Sequence, residues 1–525
     1  MARFRRLAAF ALCLALLAGC GGNAASSASS QAASSASSAS SSSGAASVPE
    51  QSAGAPTALV LGYTPSAGFN PYASASNLVE QNAGLLFECL VELTPELSLE
   101  YRLADSIVSA GETVSIHMRS GCTFADGTAV TAQDAAASLE AARLSERYAA
   151  RFANVTEVKA SGDTVTVTLA TPDSMFAYLC DIPVLKAAET GSAQPTPNGR
   201  YTYGDSGSLV RNASCAFAED GPDTIYLTEV SSYEEMVSGF AVGSLNLYTA
   251  SDSAQTSAGF SSVSDYYKTN NLVFLGVNAT PPETGEKSPL LTTAGGRGLL
   301  SQLIDRTQLA QKSYYSRAYP ATGCINDHYD CVADGHVILS SAELTADQAA
   351  ADMAALGYSL DDAGYYQNAD GERLNLRLLV YSGNTYKRYA ATLIKEQLAA
   401  AGIYVTVEEA SDFDVYSQKV ASGDFDLYIG EVKLYNNMDM SPFFEGGQAS
   451  VGIVQSEALA TAYAAFKADQ NTAAALEEAF AAEMPYVPLL WRNGTVVHSS
   501  GISGLSCSIS NVFYSLEGLR FDAAE

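Results

Sequence analysis

The run Leu374-Asn375-Leu376-Arg377-Leu378-Leu379-Val380-Tyr381 alternates like a half-buried strand, with the period of two that a pleated sheet imposes. Residues 386–400 follow as an amphipathic helix closed by Gly402, 405–408 as a second strand, 413–421 as a second helix and 426–429 as a third strand. Strand, helix, strand, helix, strand in that order predicts a mixed α/β sheet with helices packed on its faces. Upstream, Phe124-Ala125-Asp126-Gly127-Thr128-Ala129-Val130-Thr131-Ala132-Gln133-Asp134 reads as a folding device. Asp126-Gly127 supplies a tight turn with a positive-φ position, Thr131 caps a helix over 131–143, and Asp134 reaches back to the cap from the third helical position. Around it, 58–63, 114–118 and 272–278 read as strands, 157–169 as a hairpin about Gly162-Asp163, and 78–90 and 297–312 as helices. No repeat of 20–50 residues is present.

The N-terminus carries an address. Arg3, Arg5 and Arg6 precede an apolar run over 7–17, far short of the roughly 20 helical residues that cross a bilayer but proportioned like a cleaved secretory leader. Leu17-Ala18-Gly19-Cys20 resembles the lipobox of bacterial lipoproteins, which implies removal of 1–19 and lipidation of Cys20. Residues 20–56 are almost entirely Ser, Ala and Gly. Such a segment buries too little apolar surface to offset its ordering entropy, and as a flexible coil it spans about 30–36 Å. The expected location is therefore the outer face of the cytoplasmic membrane, with membrane contact through the lipid alone.

The body from 57 to 525 is long enough for two or three cored domains. At a formal charge of −29 the whole chain lacks the basic surface that nucleic acid requires, so no nucleic-acid partner is expected. Cys89, Cys122, Cys180, Cys215, Cys324, Cys331 and Cys507 remain after Cys20, an odd number. Cys324 and Cys331 close a short loop and are the expected disulfide outside the cell. With His328 and His336 they also have near-ligand spacing for zinc, but the sulfur bridge is the reading adopted, and no metal site or cofactor is expected. No Gly-x-Ser-x-Gly elbow or Walker loop accompanies the four histidines, so no enzyme is expected.

Several segments in order resemble the family 5 extracellular solute-binding proteins of ABC importers, the group of oligopeptide, dipeptide and nickel binders. Leu103-Ala104-Asp105-Ser106 with Phe124 to Asp134 resembles that family's signature, with Ala129 for Pro and Ala135 for Val. Weaker likenesses lie at Gly243-Ser244-Leu245-Asn246-Leu247, Leu275-Gly276-Val277-Asn278, 298–306, 397–405 and Pro485-Tyr486-Val487-Pro488-Leu489. The resemblance implies a two-lobed periplasmic-binding-protein-like fold of type II, with an extra subdomain and hinge crossings near 272–278 and 484–489. Lobe I is expected over 57–82, 191–272 and 487–525, the subdomain over 83–190, and lobe II over 273–486. It implies a monomeric receptor that closes on a peptide or peptide-like small molecule and delivers it to an ABC permease served by an ATPase. The alternatives are a sensor or surface chaperone on the same body, or a receptor for a nickel-type metal chelate.

Ligand-binding residues are expected at strand ends facing the interlobe gap. Phe69 and Asn70 follow the first strand, and Gly199 and Tyr201 stand in a loop that resembles the family's Gly-Thr-Gly-Pro-Tyr. Asn278 closes the strand entering lobe II, and Trp491, the only Trp, follows the return crossing. Glu431, Lys433, Tyr435 and Asn436 occupy the segment where oligopeptide binders carry an aspartate for the peptide's amino group. Lys433 near that place inverts the local charge, which suits a ligand carrying a carboxylate or hydroxyls.

Overall fold

The computed structural model describes residues 56–205, 207–250, 262–280, 287–332, 339, 344–444 and 446–522; Cys20, its leader and His336 lie outside them. Two long antiparallel strands, Ser262–Val277 and Val487–Ser499, run side by side through the middle of the molecule. Where 262–267 faces 494–499, the sheet continues through Leu247–Thr249, Leu59–Tyr63, Thr224–Glu229, Ser208–Arg211 and Tyr201–Tyr203. Where 271–275 faces 487–492, it continues through Leu427–Lys433, Asn375–Tyr381 and Tyr404–Ala410, with Ala318–Pro320 on the other side. Between the two stretches the register shifts, at Tyr267/Asn271. The pleat restarts there, so each side of the shift can carry its own twist and its own core.

Two main cores result. One gathers apolar side chains from 59–227 and 496–519, the other mostly from 272–491. A four-stranded sheet of Ala104–Ala110, Thr113–Met118, Thr164–Leu169 and Val155–Ser161 packs with helix Ala132–Leu144 onto the first core. The helix begins as its sequence predicts. Thr131 and Asp134 form both halves of a capping box, and Gly127 sits at φ 83 in the preceding turn, where a Cβ is disfavoured. The hairpin turns at Gly162.

Three elements differ from their sequence patterns. The helix expected over 78–90 is Asn77–Leu86. The helical stretch 297–312 is two helices, Ala294–Gln302 and Arg306–Lys312, because the Asp305 side chain accepts from Gln308 N–H and caps a new start. The strand expected over 272–278 begins at Ser262. Its first half is polar and half-exposed, so it lacks the apolar run that marks its buried second half. In that second half the facing strands approach closely: a Cβ on Gly276 would lie 2.0 Å from the Tyr428 ring, and one on Gly430 would lie 2.4 Å from the Phe274 ring.

Candidate functional site

Strands Asn375–Tyr381, Tyr404–Ala410 and Leu427–Lys433 are parallel and end at one edge. The helices Thr385–Ala400 and Phe413–Ser422 start there, capped by Asn384 and Asp412. Tyr404–Ala410 pairs on one side of Asn375–Tyr381 and Leu427–Lys433 on the other, so the strand order reverses at this edge. Open α/β sheets hold ligands outside the carboxyl ends of their strands at such a reversal. In the first lobe, Leu59–Tyr63 is parallel to Thr224–Glu229 and to Leu247–Thr249, giving a second carboxyl edge at Tyr63, Glu229 and Thr249. Thr249 aligns with Val496, and Lys433 aligns through Asn271 with Arg492. The two edges therefore point at each other along one shared strand, about 13 Å apart.

Charged and amide groups gather at the second-lobe edge. Lys433, Asn271 and Arg492 are directly opposed on adjacent strands, which puts their side chains on one face. Glu431 lies between Arg492 Nε at 2.6 Å and Lys387 Nζ at 2.9 Å. Burial alone would raise the Glu431 carboxyl, but the two cations outweigh it and hold it well below the usual carboxylate range. Arg317 donates to the Tyr386 hydroxyl at 2.7 Å, and Tyr386 stacks on Tyr314 with centroids 5.4 Å apart. Lys433 is exposed. Asn271 Oδ1 is buried with no hydrogen-bond partner among the described residues. At the first-lobe edge, Gln81 is 5% exposed; its Oε1 accepts from Thr249 Oγ1 at 3.4 Å while its Nε2 has no partner among the described residues. Buried polar atoms left unpaired are costly, and both sit at the carboxyl edges.

A seam of buried amides joins the lobes elsewhere. Asn326 Nδ2 donates to Asn270 Oδ1 at 3.1 Å, and Asn270 Nδ2 donates to Asn436 Oδ1 at 3.1 Å. Asn436 Nδ2 donates to Asp181 at 2.9 Å, and Asp181 also accepts from Ser510 and pairs with Arg151. The next residue, Asn437, donates to Asp173 at 2.6 Å, beside Lys467 at 3.2 Å. Burial raises the Asp173 carboxyl, opposed by Lys467 and Asn437.

The residues expected to line the gap fall into three groups. Glu431 and Lys433 meet at the second-lobe edge. Phe69 stands near the first, its ring 6.0 Å from Tyr63 and 5.4 Å from Tyr203, while Tyr435 packs on the first core and Asn436 enters the seam. The rest are engaged inside the lobes. Asn70 is fully buried, donating to Thr190 O and Ser192 O and accepting from Tyr72 N–H. Gly199 N–H donates to Leu86 O, and a Cβ there would lie 2.5 Å from the Leu86 backbone. Tyr201 donates to Pro222 O and Asn278 to Gly423 O and Phe425 O, and Trp491 is a buried core residue. The expected Cys324–Cys331 bridge is corrected: both are free thiols. Cys324 is wholly buried, and its loop is held instead by Glu477, which accepts Cys324 N–H at 3.0 Å and Ile325 N–H at 2.7 Å. Among the described residues no group of three or more His, Cys, Asp and Glu could hold a metal ion, and no helix is long and apolar enough to cross a membrane.

Sequence reasoning missed Gln81, Asn271, Lys387 and Arg492. Alternation along 262–271 carries the one signal that could have found Asn271; the others become neighbours only through strand pairing.

Two α/β lobes on a pair of shared crossing strands define a fold of the type II periplasmic-binding-protein class. The chain belongs to the bacterial extracellular solute-binding proteins, family 5, whose model matches residues 98–452. As such it is a transport receptor and not an enzyme. Family members work with an ABC permease and ATPase. Among similar solved structures, a murein tripeptide binding protein in an unliganded open form has a TM-score of 0.70 at 15% identity, covering 90% of this chain and 99% of its own. A nickel ABC transporter from Bacillus halodurans has a TM-score of 0.69 at 17% identity, covering 88% and 98%. The oligopeptide-binding protein of Bacillus subtilis in complex with a nonapeptide has a TM-score of 0.55 at 17% identity, covering 89% and 99%. No curated protein matches the chain.

Proposed function

We propose that this protein is a lipid-anchored extracytoplasmic receptor that captures a peptide or peptide-like solute in the crevice between the two carboxyl edges and hands it to a membrane permease. The observation that carries the reading is the opposition of those edges across the crossing strands, with Gln81 Nε2 and Asn271 Oδ1 buried there and unpaired among the described residues. Each lobe contributes contacts, so a solute touching both favours closure by its differential affinity for the closed form. Solved proteins of this fold include a murein tripeptide binder and one holding a nonapeptide, which supports peptides as the first class to test. Cys20 and the Ser/Ala-rich segment would keep the receptor close to its permease.

The test is a thermal-shift screen of the purified protein against peptides, amino acids, sugars and nickel chelates. A true solute at a hundredfold its dissociation constant stabilises the folded state by about 2.7 kcal/mol. A flat screen across all classes contradicts the receptor reading.

A further inference from the structure

The second-lobe edge runs against the charge of the whole molecule. The chain carries a formal charge of −29, yet Lys387, Lys433, Arg317 and Arg492 converge on this edge with Glu431 between them. Glu431 is saturated by Lys387 and Arg492. Asp412 caps the helix Phe413–Ser422 by accepting from Asp414 and Val415 N–H, and Glu409, one residue from the end of its strand, pairs with Arg388 at 3.1 Å. Among the described residues no carboxylate pairs with Lys433, which projects from the last position of its strand. Beside it, on the same face, Asn271 offers a buried acceptor with no donor among the described residues. On the facing edge Gln81, nine-tenths buried, offers a donor with no acceptor among the described residues.

We infer that the solute carries a carboxylate flanked by an N–H or O–H donor, with the carboxylate on Lys433, the donor on Asn271 Oδ1, and a carbonyl of the solute reaching Gln81 Nε2. The carboxyl-terminal unit of a peptide has this sequence of groups, and so does an α-hydroxy acid bearing a second carbonyl. The inference rests on the receptor reading above and narrows its solute class. A solute of this kind binds by filling two vacant hydrogen-bond positions as well as by charge. An analogue lacking either group leaves a buried atom unpaired and loses far more affinity than an extra methylene would gain.

Calorimetry and thermal shift on the full chain test this with matched probes: trialanine against trialaninamide, and malate against malamide. At least one acid should raise the melting temperature while its amide does not. Lys433→Gln should raise the dissociation constant for that acid at least tenfold and leave the melting temperature of the unliganded protein unchanged. Asn271→Leu should do the same for the acid; if that variant does not fold, Lys433→Gln and the acid–amide pairs still decide. Equal binding of acid and amide, retention of affinity in Lys433→Gln, or stabilisation by uncharged solutes but by neither acid overturns the inference and leaves the receptor reading standing. Should no solute of any charge shift the melting temperature, both fall.

Discussion

The Asn436 side chain, at the end of the second lobe's central strands, donates to Asp181 in the first lobe at 2.9 Å. Its neighbour Asn437 does the same to Asp173 at 2.6 Å. Two successive amides of one lobe are thus held by two buried carboxylates of the other, each carboxylate also facing a cation, Arg151 or Lys467. Hydrogen bonds to charged groups are worth about 1.5–3 kcal/mol each. Replacing both amides by alanine should favour the open arrangement, seen as an increased radius of gyration by small-angle scattering without solute. An unchanged radius would show that the seam does not hold the lobes together.

Glu431 and Lys433 should behave in opposite ways despite lying two residues apart. Glu431→Ala leaves Arg492 and Lys387 in a mostly buried site without their shared carboxylate, and should cost about 3–5 kcal/mol of stability in denaturant unfolding. Lys433 is exposed, and its replacement should fall within about 0.5 kcal/mol of wild type. Equal effects on stability would contradict the assignment of Glu431 to holding its cations.

Glu477 makes stability depend on pH. Burial pushes its carboxyl up to about 7 from an ordinary 4.5, against the backbone N–H groups of Ile325 and Cys324. Between those values the folded protein holds a proton that the unfolded chain releases. The contribution is therefore complete below pH 4.5 and is lost as pH rises through 7, by at most about 3 kcal/mol. Urea unfolding at pH 5 and pH 8 should show this loss in wild type and much less of it in Glu477→Gln; parallel profiles would refute it.

The capping box should divide unevenly. Thr131→Ala removes one cap and should cost about 1 kcal/mol. Asp134 accepts from Thr131 N–H at 2.9 Å and also from Ala187 N–H at 2.8 Å, tying the helix to a distant loop. Asp134→Ala should therefore cost about 2–3 kcal/mol, and thermal unfolding that ranks the two variants the other way would count against this.

Local chemistry was readable from the chain alone. The box at Thr131 and Asp134, the turn at Gly127, the hairpin about Gly162 and the strand–helix alternation through 374–433 follow from side chains acting within a few residues, where backbone sterics and periodicity leave few choices. The partners of Asn70, Gly199 and Asn278 were not readable. Each stands at a strand end or loop, but whether such a residue faces solvent or the backbone of another segment depends on which surfaces pack. Asn436 meets Asp181 across 255 positions, and Lys433 lies in line with Arg492 only because two intervening pairings fix the register. Periodicity states which face of an element is buried; it does not state against what, and the crevice is made wholly of such distant encounters.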